Sequence, residues 1–351
     1  MALKCSGSDS TRQIPFVNLL LSQGVPLDIW VAAGTGKEEA VERMARDDAA
    51  LLNAKNKRRR TPLHVAVYCG QVKAAAKLLD MGADVNIQDQ EESAPLHLAQ
   101  QKPSDEVTGL LLSRGADVNA RTKDGWTPLL YACFYDCRTS RIELLLRHGA
   151  EVRTQSRNGE TALHIAASKG LLEVAQAFIA KGADVNAGMI NGGLTPLHLA
   201  ALHGHKTVAE LLVAQGADVK GQAGTATPLH CAASGGNVEI AKLLLEKGAS
   251  VKAKQIYGDS PLYEAVIWGK NEMAEFLIAS GSDVNAKGND GAALHAAAAR
   301  GRVELATLLL KHGADVNLVN DAGKTPVDVA PLDRKDIIEL LRQHGGKSAK
   351  E

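Results

Sequence analysis

Eleven histidines are the first candidates for chemistry in this 351-residue chain, because imidazole can ligate a metal or act as a general base near neutral pH. Six of them (His64, His97, His164, His198, His230 and His295) share one setting, directly after a Leu and three residues after a Thr or Ala. His203-Gly204-His205 adds a close pair that could hold a metal weakly. Ala33-Gly34-Thr35-Gly36-Lys37 has the look of a phosphate loop, but it lacks a first glycine at the right spacing and a Ser or Thr after the lysine. Cys133 and Cys137 stand four apart on a predicted helix, and two thiols are too few for a metal site. The run Lys55, Lys57, Arg58, Arg59, Arg60 could contact phosphate or serve as an import signal. No nucleophile and base stand together outside a periodic position, so the expectation is a protein without catalysis, cofactor or metal.

The setting of the six histidines leads to the elements that hold them. Thr61-Pro62-Leu63-His64 returns as Ala94-Pro95-Leu96-His97, Thr127-Pro128-Leu129-Leu130, Thr161-Ala162-Leu163-His164, Thr195-Pro196-Leu197-His198, Thr227-Pro228-Leu229-His230, Ser260-Pro261-Leu262-Tyr263, Ala292-Ala293-Leu294-His295 and Thr325-Pro326-Val327-Asp328. Successive copies start 32 to 34 residues apart. That period means stacked units rather than one core.

One unit shows why stacking is obligatory. Thr61 suits an N-cap and Pro62 the first helical position, where a missing N–H costs nothing. Leu63, Val65, Ala66 and Val67 give a short apolar helix that stops at Gly70. A second helix is predicted from Val72 to Met81, ended by Gly82. Neither is long enough to stand alone in water. A degenerate copy lies one period upstream. Its first helix is predicted over 27–33, and its second carries Val41, Met44, Ala45, Leu51 and Leu52. Pro15 to Gly24 reads as an orphan helix before it, after a disordered stretch over 1–10.

With its recurring Pro-Leu-His phrase, its Ala-Ala helices at 166–167 and 232–233, and Gly-Ala-Asp-Val-Asn at 82, 115, 182 and 313, the chain resembles the ankyrin-repeat family over residues 11–346. The resemblance implies an all-α repeat fold, an ankyrin solenoid of about ten helix pairs joined by β-hairpin fingers, with the orphan N-terminal helix ahead and a disordered tail at 347–351. It assigns the six histidines a structural role, bonding neighbouring turns. It also likens Asn86, Asn119, Asn186, Asn285 and Asn317 to asparagines hydroxylated in such repeats. Three copies depart from the pattern: Pro103 replaces a turn glycine, 136–139 carries an extra residue, and Ala292-Ala293 replaces Thr-Pro. The last helix is decorated by Asp333, Arg334, Lys335, Asp336, Glu339 and Arg342, as a terminal unit requires.

Bulk properties narrow the partner class. The formal net charge is zero, so nucleic acid is not an expected partner and the basic run reads as one finger, solvated or contacting an acidic protein partner. No apolar run reaches a membrane-spanning length, and no signal peptide is visible. The odd number of cysteines suits reduced thiols, so the expected place is the cytoplasm. The fold then implies a monomeric protein-interaction scaffold, an adaptor or an inhibitor, that binds a macromolecular partner. Alternatives are a regulatory module of a multi-component enzyme system and a bacterial effector acting on host proteins. The finger tips and first-helix ends would carry the contact, through Arg58, Arg60, Tyr68, Lys123, Trp126, Phe134, Tyr135, Arg157, Leu194, Leu202, Tyr257, Ile267 and Trp268. A contact centred on Trp126 and Trp268 is expected, because exposed Trp, Tyr and Arg dominate binding energy.

Overall fold

A computed structural model describes residues 27–102, 104–190, 193–221, 226–288 and 290–351. The chain divides into two compact units, residues 1–162 and 163–351. The orphan helix expected over 15–24 and the disordered start over 1–10 lie outside the described residues.

Among the described residues the first unit holds four helix pairs: Ile29–Thr35 with Glu38–Asp47, Pro62–Tyr68 with Val72–Asp80, Pro95–Ala99 with Asp105–Ser113, and Pro128–Tyr135 with Thr139–Arg147. The second opens on the helix Ala162–Lys169 with Leu172–Ala180. Five pairs follow: Pro196–His203 with Lys206–Ala214, Pro228–Gly235 with Val238–Glu246, Pro261–Ile267 with Asn271–Ala279, Ala293–Ala299 with Val303–Lys311, and Pro326–Val329 with Lys335–Gln343. Among the described residues no helix exceeds the ten residues of Glu38–Asp47, so none of these is stable without its neighbours. Among the described residues no helix is long and apolar enough to cross a membrane.

Local chemistry sets the ends. The backbone N–H of His64 reaches the Thr61 hydroxyl, and Pro62 fills the first turn. The first repeat begins instead on Asp28, whose carboxylate accepts from Val31 N at 2.7 Å. Its second helix is shorter than the sequence suggests. Asp48 turns extended and caps Ala50, so Leu51 and Leu52 fall in a separate 3-10 helix, Ala49–Asn53. The dry face is built from small residues. Ala66, Ala74 and Ala75 are fully buried beside Leu63, Val67 and Leu78, and Ala200, Ala201 and Ala209 beside Leu197, Val208 and Leu212. Alanine lets the short helices approach closely, and burial of the branched side chains stabilises by about 1.5–3 kcal/mol each.

The fingers are tight loops closed by side chains. Asn56 N donates to Arg60 O, Arg59 N donates back to Asn56 O, and the Asn56 amide oxygen accepts from Arg58 N and Arg60 N. Asp89, Thr122, Ser156 and Asn320 do similar work in their fingers. In one finger Gly288 and Gly291 pair as an antiparallel β-bridge.

Three further links join repeat to repeat. Asn86 donates to Gly115 O and accepts from Asp117 N, bracketing the next finger stem. Asn119, Asn186, Asn285 and Asn317 repeat that bracket. Before three of the second helices a side chain bonds the turn of the preceding repeat: His205 to Ser168 O, Asn237 to Ala201 O and Leu202 O, Arg334 to Gly301 O. The third link runs through the histidines.

Candidate functional site

The histidines that first suggested chemistry are fully committed. The N–H of Thr61 donates to His64 Nδ1 at 3.2 Å, which leaves Nε2–H to donate to Ser93 O in the next finger at 3.0 Å. His97 accepts from Ala94 N and donates to Ala120 O and Trp126 O. His198, His230 and His295 use both nitrogens in the same way, and His164 donates to Leu194 O. Burial holds all six below the usual imidazole range, His64 and His198 at about 4. A neutral imidazole with both nitrogens bonded has no lone pair for a metal or a substrate proton.

The remaining motifs also resolve into scaffold. His205 spends Nε2 on Ser168 O, and its ring lies 6.3 Å from that of His203. In the Gly34–Lys37 segment the N–H groups of Gly36 and Lys37 point at Ala33 O and Ala32 O of their own helix, not outward at an anion. Cys137 lies past the end of its predicted helix, at φ +56°, and its thiol donates to Cys133 O. The extra residue there ends the helix at Tyr135. Among the described residues no group of three or more His, Cys, Asp or Glu stands in metal-binding array.

What remains is surface. In the first unit Arg58 and Lys123 are exposed at finger tips, as is Arg157. Arg60 is drawn inward, paired with buried Asp89 at 3.0 Å, and its guanidinium lies 5.5 Å from the centre of the Tyr68 ring. Lys102 covers the same ring at 4.8 Å. Trp126 is half-buried, held edge-on by Tyr131 at 5.7 Å and Phe134 at 5.4 Å. Phe134 and Tyr135 stand 49% and 54% exposed and touch each other edge-on at 5.1 Å. In the second unit Leu194, Leu202 and Ile267 are half-buried, while Ile256, Tyr257 and Trp268 are 69%, 64% and 59% exposed.

Several contributors escape a sequence reading. Tyr131 joins the ring cluster because it follows the Leu130 that stands in for a histidine. Lys102 reaches Tyr68 from the loop of the next repeat. Glu264 accepts from Gln255, Ser234 and Trp268 at the foot of the second apolar patch. Only Glu264 carried a signal. It is the sole charged residue among those that follow the nine copies of the recurring tetrapeptide.

The model for ankyrin repeats in three copies matches residues 10–89, 81–156, 138–223 and 220–288, and the model for ankyrin repeats in many copies matches 277–330. Among solved structures, the crystal structure of the human ASB11 ankyrin repeat domain is similar, at 27% identity and a TM-score of 0.55, over 59% of this chain and 93% of that one. No curated protein matches. With 585 matching chains of solved structure, likeness identifies the architecture and not the partner. Continuous family matches, ten helix pairs among the described residues and inter-repeat histidine bonds agree: this chain belongs to the ankyrin-repeat family.

Proposed function

We propose that the chain is a non-catalytic scaffold, an adaptor or an inhibitor, that grips a protein partner through finger tips and first-helix ends. Ankyrin repeats are generally protein–protein interaction modules. The observation that carries the reading is the placement of large apolar side chains. In a chain with only 3% aromatic residues, Phe134, Tyr135, Tyr257 and Trp268 all stand in water. Grouped exposed aromatics mark recognition surfaces, since solvent exposure costs them apolar burial that a partner restores. In this reading Arg58, Arg60, Tyr68, Lys123, Trp126 and Arg157 add contacts in the first unit, and Leu194, Leu202 and Ile267 in the second. Trp126 acts there as a brace for Phe134 rather than as an anchor. An odd cysteine count, with none of the four described cysteines in a disulfide, supports a reducing compartment such as the cytoplasm.

Alanine at Phe134, Tyr135 and Trp268 together should leave the helical circular dichroism intact and lower recovery of co-purifying protein by tenfold or more in affinity capture with quantitative mass spectrometry. Unchanged recovery of every captured protein would remove the proposal.

A further inference from the structure

We infer that Glu264 and Trp268 form a receptor for one arginine side chain of the protein partner, an inference that rests on the protein-binding reading above. The residue after the recurring tetrapeptide is Val65, Leu98, Tyr131, Ile165, Leu199, Cys231, Ala296 or Val329 in the other copies, uncharged every time. A carboxylate in that row opposes the local apolar pattern. It is also carefully held. Trp268 Nε1 donates to Oε2 at 3.1 Å and Gln255 Nε2 to Oε1 at 2.8 Å. Ser234 Oγ stands 2.9 Å from Oε2 and 3.0 Å from His230 O, sharing its single proton between them. These donors are neutral. They orient the carboxylate without cancelling its charge, and no ion pair reaches it among the described residues. Its field is felt nearby: burial first and this carboxylate second push the Cys231 thiol up to about 12. Asp259 and Asp290 add negative potential at this end, against Arg300.

The indole completes the receptor. Its N–H bond to Glu264 fixes the ring while the side chain stays 59% exposed, so a ring face is available beside an uncompensated carboxylate. A planar guanidinium can stack on that face and turn an N–H edge to Oε1, which among the described residues has only Gln255 as donor. An ammonium is a point charge and meets the two groups less well together. Exposed Ile256 and Tyr257, on the finger that supplies Gln255, offer apolar cover to the methylene stem.

The chain has three tryptophans, hence three indole N–H signals in a nitrogen–proton correlation spectrum. The full chain is titrated with N-acetyl-arginine methylamide, the neutral citrulline analogue and the lysine analogue, with the Trp268 signal assigned by Trp268→Phe. Saturable movement of the Trp268 signal with arginine, at least about tenfold weaker with citrulline and lost in Glu264→Gln, is expected. Glutamine keeps an acceptor for the indole, and circular dichroism checks its folding. Equal response to citrulline, a full response in Glu264→Gln, or no movement overturns the receptor. Equal response to lysine overturns the choice of arginine. This titration needs no partner. Failure here alongside loss of capture in the alanine variants sinks the receptor and leaves the scaffold reading standing, and the converse sinks the scaffold reading and with it the assignment of the arginine to a protein partner.

Discussion

At the scale of the residue, a repeated histidine stabilises this chain by staying neutral. Five of the six accept from their own N-cap, and all six donate to the next finger, a role available only to uncharged imidazole. His64 and His198 have folded pKa values of about 4 against 6.5, lowered chiefly by burial. The folded pKa lies below the unfolded one, so the unfolded chain binds the proton first. The contribution is complete above about pH 6.5 and lost as pH falls toward 4, on the order of 3 kcal/mol per group at full protonation. The chain supplies its own control, since Leu130 occupies the equivalent place in the fourth repeat. His198→Leu should melt lower than wild type at pH 7.5 and lose less stability between pH 6.5 and 4.5, read by thermal circular dichroism at a series of pH values. An unchanged slope would contradict the account. The structural role of these residues was legible in the recurrence of Pro-Leu-His. The partial burial of Trp126 was not, because Tyr131 and Phe134 meet its ring only once the helix Pro128–Tyr135 brings them, three residues apart, to the finger that carries it.

At the scale of the element, glycine in the turn within six of the described pairs is a requirement of stacking as well as a helix stop. Gly36, Gly170, Gly204, Gly236, Gly269 and Gly301 have positive φ, and each is overlain by the side chain that precedes the next repeat's second helix. A Cβ at Gly204 would come within 2.6 Å of Asn237 Oδ1. Gly204→Ala therefore strains the backbone and displaces the Asn237 bonds to Ala201 and Leu202, at about 1–3 kcal/mol together. Urea denaturation should show that loss, and a variant as stable as wild type would refute the linkage. Where Pro103 replaces the glycine and 136–139 is one residue longer, Arg141 takes over. It is fully buried, pairs with Asp105 at 2.9 Å and Asp136 at 2.8 Å, and donates to Gln100 O. Helix existence and caps were legible from Thr-Pro and Gly. The Asn and turn brackets were not, because each joins residues about one repeat apart and periodicity alone does not say which orphaned groups meet. The Asp48 break was missed for another reason: Leu51 and Leu52 continue the apolar stripe after the helix has ended.

At the scale of the molecule, the links described join consecutive repeats, the arrangement expected of a repeat array whose stability is a sum of unit and neighbour terms. Residues 347–349, assigned to a loose tail by the sequence, are tied to the last pair through Asn317 and Asp328. Asp328 stands where the histidines stand and accepts tail N–H and O–H groups, which hold its carboxyl well below the usual range. Such a frame frees its finger tips and first-helix ends from structural duty. That is why Phe134, Tyr135, Tyr257 and Trp268 can face water without harming the core. The most direct test is amide hydrogen exchange of the chain alone and with a captured protein bound. The account predicts slowed exchange in residues 131–136 and 255–268. Slowing confined to the outer second helices, such as Thr139–Arg147 and Val238–Glu246, would contradict it.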